Sequence, residues 1–230
     1  MIRHFPSTHD ETLVASGDYV YRCNGEMQAV SEPWSHHFCG DTHIIRARRL
    51  ALEHGVEIST MCQASKDWSV LNSAEINAEI TREDVSSSHD LSLEVGKNDI
   101  SSVWQGAEIT HAADCCFPLL RIYMGGVLKA LHASGGKGQI LIPNIGDPSD
   151  KDRFLQPTVT TRSAKLVRTE KKRVDGKDIT ADLYDYTGDQ YDSGSLFWLD
   201  EHGVLIAYEW QQSVQNKWTC EVSNYRRLPR

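Results

Sequence analysis

His36 lies between two aromatic residues in the run Trp34-Ser35-His36-His37-Phe38, and it is the sharpest pointer to chemistry in this chain. On an extended strand Trp34, His36 and Phe38 share one face. Desolvation in that apolar company favours the neutral imidazole, which can then serve as a base near neutral pH; the bland alternative is a hydrogen-bonded core histidine. Tyr184 and Tyr186 share a face of a late strand with Thr180 and Asp182, where a phenol beside a carboxylate could relay a proton, although cross-strand pairing explains them equally well. Arg46 and Arg48 share a face with Ile44 and Leu50 and could meet a carboxylate or phenolate ligand, or simply stand on an outer sheet face. Tyr21, in step with Tyr19 and Cys23, and Trp210, in step with Val204, Ile206 and Tyr208, form aromatic rows that could clasp a flat or oily molecule or fill the core. The expected catalytic residues are therefore His36 and Tyr184, and the expected substrate-binding residues are Tyr21, Trp34, Arg46, Arg48 and Trp210. Glu209 alternates to the opposite face, as a solvent residue or as the acid partner of a pocket.

Other groupings fail on geometry. His36, His37, Cys39 and His43 resemble a metal cluster, yet adjacent histidines on a strand point to opposite faces and cannot converge on one ion without a bulge. No metal and no cofactor is predicted. Gly135-Gly136-Lys137-Gly138 ends a helix and precedes a strand, the reverse of the order in a phosphate loop. Cys115 and Cys116, placed near a helix N-terminus, could have lowered thiol pKa values but have no assignable histidine partner. The six cysteines, Cys23, Cys39, Cys62, Cys115, Cys116 and Cys220, lack zinc-knuckle spacing and read as buried thiols.

The elements that must position these residues are mostly strands. Alternation of apolar and polar residues predicts strands at Leu13 to Cys23, Met27 to Cys39, His43 to Ala51, Val56 to Gln63, Leu71 to Ile80, Val85 to Val95 and Ile100 to Ala112, separated by turn chemistry such as Asn24-Gly25 and Gly96-Lys97-Asn98-Asp99. The period then changes. From Asp114 as N-cap, with Pro118 in the first turn, Leu120, Tyr123, Met124, Val127, Leu128 and Leu131 follow helical spacing to Gly135-Gly136, which predicts a helix over 114–134 that Gly125-Gly126 could kink or split. A strand at Gln139 to Ile145, a long hairpin around Asp175-Gly176 and a terminal meander complete residues 139–226, with turn clusters at Gly188 to Asp192, Asp200 to Gly203 and Gln211 to Asn216.

About a dozen antiparallel strands and one helix imply a mainly β chain, a single β-rich domain over 1–230. Its expected form is a strongly curved sheet or incomplete barrel with the helix across the open side. In this layout, and in the segment LFWLDEHGVLIAYEW above all, the chain resembles the bacterial LolA/LolB half-barrel family of lipoprotein carriers, whose cytoplasmic relative is the violacein-pathway enzyme VioE. The resemblance is architectural and carries no site residues over.

Composition narrows the function. The 230 residues are 40% hydrophobic and 24% charged, ordinary for a globular protein, and the formal charge of −8 argues against a nucleic-acid partner. No run of 18 apolar residues suggests a membrane span, and MIRHFPSTHDETL holds no signal-peptide core, so cytoplasmic residence is expected. Two classes remain, both with a hydrophobic or aromatic small molecule as partner and both admitting a homodimer. One is a cofactor-independent enzyme of lyase, dehydratase or isomerase type that works by proton transfer. The other is a non-catalytic cytosolic carrier of a lipid or aromatic ligand. The lack of an export signal favours the enzyme, because the cytoplasmic member of the resembling family is one.

Overall fold

Two-residue alternation becomes, in three dimensions, a sheet with one buried face. The computed structural model describes residues 5–65, 71–82, 85–148, 150–188 and 195–228. An N-terminal meander runs through β1 (Thr12–Cys23), β2 (Glu26–Cys39), β3 (Thr42–Ala51), β4 (Val56–Ala64), β5 (Leu71–Arg82), β6 (Val85–Val95), β7 (Ile100–Trp104) and β8 (Ala107–His111). A short strand β9 (Cys115–Cys116) and a 3-10 turn (Arg121–Tyr123) lead into the helix α1 (Met124–Ala133). The chain ends in β10 (Lys137–Pro143), β11 (Pro157–Val174), β12 (Lys177–Thr187), β13 (Leu196–Asp200), β14 (Leu205–Gln211) and β15 (Lys217–Arg227). The strand expected over Ile100 to Ala112 is split into β7 and β8 by Gln105-Gly106, both at positive φ. Of the turn cluster expected from Gly188 to Asp192, all but Gly188 lies outside the described residues.

These strands form one sheet in the order β8-β7-β6-β5-β4-β3-β2-β1-β15-β14-β13-β12-β11-β10-β9. Pairing is antiparallel throughout except between β9 and β10. Because β1 pairs with both β2 and β15, the N-terminal and C-terminal meanders meet along the middle of the sheet. The sheet is open and curved, with β8 and β9 as its edges. Bulges in β1, β11 and at the β13–β14 pairing add local twist. No helix among the described residues is long and apolar enough to cross a membrane.

The helix is shorter than spacing predicts, Met124–Ala133 rather than 114–134. Asp114 does not cap it; its carboxylate accepts the backbone N–H of Gln139 at 2.7 Å and so fastens the start of β9 to β10. Pro118 has no N–H to give, and Leu119 takes φ +68°, which no α-helix allows. Two tight turns follow there, Leu119 N to Phe117 O and Leu120 N to Pro118 O, each 2.8 Å. Met124, Val127, Leu128 and Leu131 then bury one face of α1, which packs on β9, β10 and β11. Gly135 and Gly136, both at positive φ, end the helix with a 2.8 Å bond from Gly136 N to Leu131 O, the pattern of a Schellman cap.

Candidate functional site

The segment before the helix sets the site. Phe117 to Tyr123 crosses the concave face and bonds to the N-terminal meander: Tyr123 Oη donates to Ile45 O at 3.2 Å and lies 2.8 Å from Thr60 Oγ1. Beside this segment is a cavity of about 440 Å³, lined by Arg49, Phe117, Leu119, Arg121 and Met124, by Ile142 to Gly146, and by Thr158, Thr160, Arg162, Tyr186 and Phe197. The volume suits a small organic molecule. Leu119, the residue held at positive φ, is part of the wall, and a non-glycine residue there stores backbone strain of about 1–3 kcal/mol.

A buried network places Arg49 in the wall. Glu32, fully buried on β2, accepts Tyr21 Oη at 2.5 Å and the Arg49 guanidinium at 2.8 and 3.0 Å, and its other oxygen accepts the backbone N–H of Arg121. Arg49 also donates to Leu119 O at 3.3 Å, so the arginine braces the strained turn. Burial opposes the Arg49 charge, but the groups that face it, the Glu32 carboxylate among them, more than offset this and raise its pKa above the ordinary guanidinium value. Burial likewise raises the Tyr21 phenol well above its ordinary value, which keeps it neutral and a donor. Opposite, the Arg121 guanidinium lies 4.6 Å from the centre of the Tyr208 ring. Arg162, almost wholly buried, donates from Nε to Thr160 Oγ1 at 2.8 Å and from Nη1 to Gly188 O, and stands 6.0 Å from the Tyr186 ring.

The residues expected from sequence fall in five places. Tyr21 stands directly behind the cavity wall, in the Glu32–Arg49 network. His36 is buried with its Nε2 2.6 Å from His43 Nδ1 and the two rings stacked at 4.8 Å, outside the cavity lining. Tyr184 is also outside the lining: it is buried against His132 near the end of α1, ring centres 6.1 Å apart, while Tyr186, two residues on, reaches the wall. Trp210 is buried on β14 opposite Trp218 of β15.

The structure does bring Trp34, Arg46 and Arg48 together, at a separate groove bordered by Phe5 to Ser7. There Trp34 packs on Tyr19 and Tyr225, at 6.4 and 5.9 Å, and over Gly17. Each arginine already faces an acid: Arg46 forms a bidentate pair with Glu11 at 2.6 and 2.7 Å, and Arg48 bonds Glu57. Glu209 sits between Lys172 and Lys217, at 3.1 and 2.9 Å, on the same strand cluster where Lys172 Nζ covers the Trp198 ring at 3.7 Å. Cys115 and Cys116 lie in β9, not at a helix N-terminus; burial, aided by Asp114, pushes the Cys115 thiol up to about 12 and Cys116 higher still, away from thiolate chemistry. No cluster of three metal-ligating residues occurs among the described residues.

Arg49, Arg121 and Arg162 are the cationic residues that sequence reading missed. Arg49 had a signal, since it is in step with the inward-facing Ile45 and Ala47 while Arg46 and Arg48 face the other way.

Comparison with known proteins supports the architecture. No family model and no curated protein matches this chain. Among solved structures it is similar to a β-barrel-like protein of the domain of unknown function DUF1849 from Brucella abortus, with a TM-score of 0.55 and 8% identity over 95% of this chain and 99% of that one. A DUF1089 family protein from Pseudomonas aeruginosa matches with a TM-score of 0.46 and 15% identity, over 76% of this chain and 87% of that one. The first of these likenesses supports a barrel-like fold.

Proposed function

We propose that the protein binds an apolar or aromatic small molecule in the concave cavity between the Phe117 to Tyr123 segment and strands β10 to β13. The observation that carries this reading is the wall itself: Phe117, Leu119, Met124, Ile142 and Phe197 form an apolar surface around a space of about 440 Å³. Of the two functions open to such a protein, carriage fits better than proton-transfer catalysis. The described lining holds no histidine, carboxylate or cysteine, so the phenol of Tyr186 is the one described lining side chain of a type that serves as an acid or base in a lyase or isomerase. A carrier of the half-barrel type, as in LolA and LolB, needs only the shaped apolar space.

The test uses N-phenyl-1-naphthylamine, a neutral aromatic dye that brightens on leaving water. Saturable one-to-one binding that is lost in Thr160→Trp, which fills the cavity, and kept in His36→Ala supports the reading. Absence of saturable binding, or equal binding by Thr160→Trp, overturns it. If His36→Ala instead abolishes binding while the protein stays folded by circular dichroism, the ligand site belongs at the His36–His43 pair.

A further inference from the structure

Arg49 lines the cavity, and the protein uses its guanidinium on one edge only. Nε donates to Glu32 at 3.0 Å, and Nη2 donates to the same carboxylate oxygen at 2.8 Å and to Tyr21 Oη and Leu119 O, each at 3.3 Å. Among the described residues Nη1 makes no hydrogen bond; its two N–H groups lie on the side of the planar fork away from the Nε N–H. With the Nε–Nη2 edge turned to Glu32 behind the wall, the side that Arg49 presents to the cavity is the one that carries Nη1. The charge of Arg49 is already met by the fully buried Glu32, so what completes this guanidinium is an acceptor rather than a counter-ion.

We infer that the cavity selects a ligand whose apolar or aromatic body carries a neutral carbonyl group, a ketone or an ester, that accepts a hydrogen bond from Arg49 Nη1; the inference rests on the cavity being a small-molecule site. A ligand that covers Nη1 without an acceptor takes its N–H groups out of water and gives nothing in return, whereas a carbonyl oxygen has two lone pairs for them. A carboxylate is less suited, because it would be a second anion on a guanidinium that Glu32 already holds, and its own removal from water costs more than that of a carbonyl. Glu32, Tyr21 and the Leu119 carbonyl fix the other edge of the fork, so the donor is in place before a ligand enters and little side-chain freedom is lost on binding. Phe117, Met124 and Ile142 take the body.

Equilibrium dialysis with 2-acetylnaphthalene, 2-ethylnaphthalene and 2-naphthoate tests this, since the three share one body and differ in the group set against Arg49. In the wild-type protein the ketone should bind at least as tightly as the more apolar hydrocarbon, and more tightly than the acid. Arg49→Lys keeps a cation for Glu32 but has a single ammonium in place of the fork, with no donor at the position of Nη1; the ratio of ketone to hydrocarbon affinity should fall roughly tenfold. Infrared spectra of the wild-type complex, with the ketone isotopically labelled at its carbonyl, give a reading that does not depend on the folding of a variant: the bound carbonyl stretch should lie below its frequency in hexane. A carbonyl stretch as in hexane, an acid that binds more tightly than the ketone, or an affinity ratio unmoved in a folded Arg49→Lys protein overturns the carbonyl inference and leaves the cavity reading intact. Failure of all three probes to bind, together with failure of the neutral dye, overturns both.

Discussion

Glu32 satisfies three donors at once, the Tyr21 phenol, the Arg49 guanidinium and the Arg121 backbone N–H, and it does so with no exposure to solvent. Removing its charge while keeping its shape leaves a buried arginine without its counter-ion, so Glu32→Gln should cost about 3–5 kcal/mol, the usual loss on breaking one side of a buried pair. Urea unfolding at pH 7 checks this; a loss under about 1 kcal/mol would mean that the network contributes no more than an exposed pair does. The same network shows how far individual residues can be read from sequence. Tyr21 and Trp34 were legible as inward-facing because alternation fixes the face of a strand. Glu32 stands on that face too, but a carboxylate in step with Trp34 and His36 looks like an exposed residue until its partner on β3 is known. Arg121 and Arg162 were not legible. The first is aimed by a positive-φ turn that spacing cannot reveal, and the second shares a cavity with Arg49 only because the sheet curves.

Apart from β9, which falls inside the expected helix, and the β7–β8 split, most strands were legible to within a residue or two because turns such as Asn24-Gly25 and Asp175-Gly176 adopt positive φ where the sequence places them. The helix was less so. Helical spacing begins at Leu120 in the sequence, yet regular helix begins at Met124, since nothing in a spacing argument registers the local turns that Pro118 and Leu119 impose. Gly125 illustrates the conflict between local preference and packing. By helix propensity alone Gly125→Ala should stabilise the protein by up to about 1 kcal/mol. In the folded molecule a Cβ there would overlap the carbonyl oxygen of Gly203, in the turn between β13 and β14, and backbone cannot swing aside as a side chain can. Net destabilisation of about 1–3 kcal/mol is expected, and a raised melting temperature would show that α1 does not rest on that turn. A second element-scale clasp ties the N-terminal segment to β3. Hydrogen bonds from Arg46 hold the Glu11 carboxyl below its ordinary value despite burial. A depressed carboxylate pKa adds stability that is present above the unfolded value of about 4.3 and is lost as pH falls through the folded value. The stability difference between the wild type and Glu11→Gln should therefore be largest near neutrality and shrink as pH falls below about 4; a difference that is constant with pH would remove Glu11 as a titrating contributor.

At the scale of the molecule, the open sheet raises the question of whether its two meanders behave as one body. β8 and β9, the two edges, do not pair with each other, so closure by hydrogen bonding along a seam is absent. Other ties replace it. β1 shares a long antiparallel ladder with β15 as well as with β2, and Tyr19 Oη on β1 donates to Leu205 O on β14 at 2.7 Å. Across the concave side, Arg49 reaches Leu119 O, Tyr123 reaches Ile45 O, and Trp104 Nε1 on β7 donates at 3.1 Å to Phe154 O in the loop between β10 and β11, whose Phe154 and Leu155 are buried in the common core. A core shared in this way cannot be lost from one meander without exposing apolar surface of the other, which is the condition for an all-or-none transition. Two single-tryptophan variants, one keeping Trp104 in the N-terminal meander and one keeping Trp210 in the C-terminal meander, should therefore each give a urea fluorescence midpoint that coincides with that variant's far-ultraviolet circular dichroism. Within either variant, separate midpoints from the two probes would mean that one meander unfolds first, and the chain would then be two stability units joined along β1 and β15 rather than a single β domain.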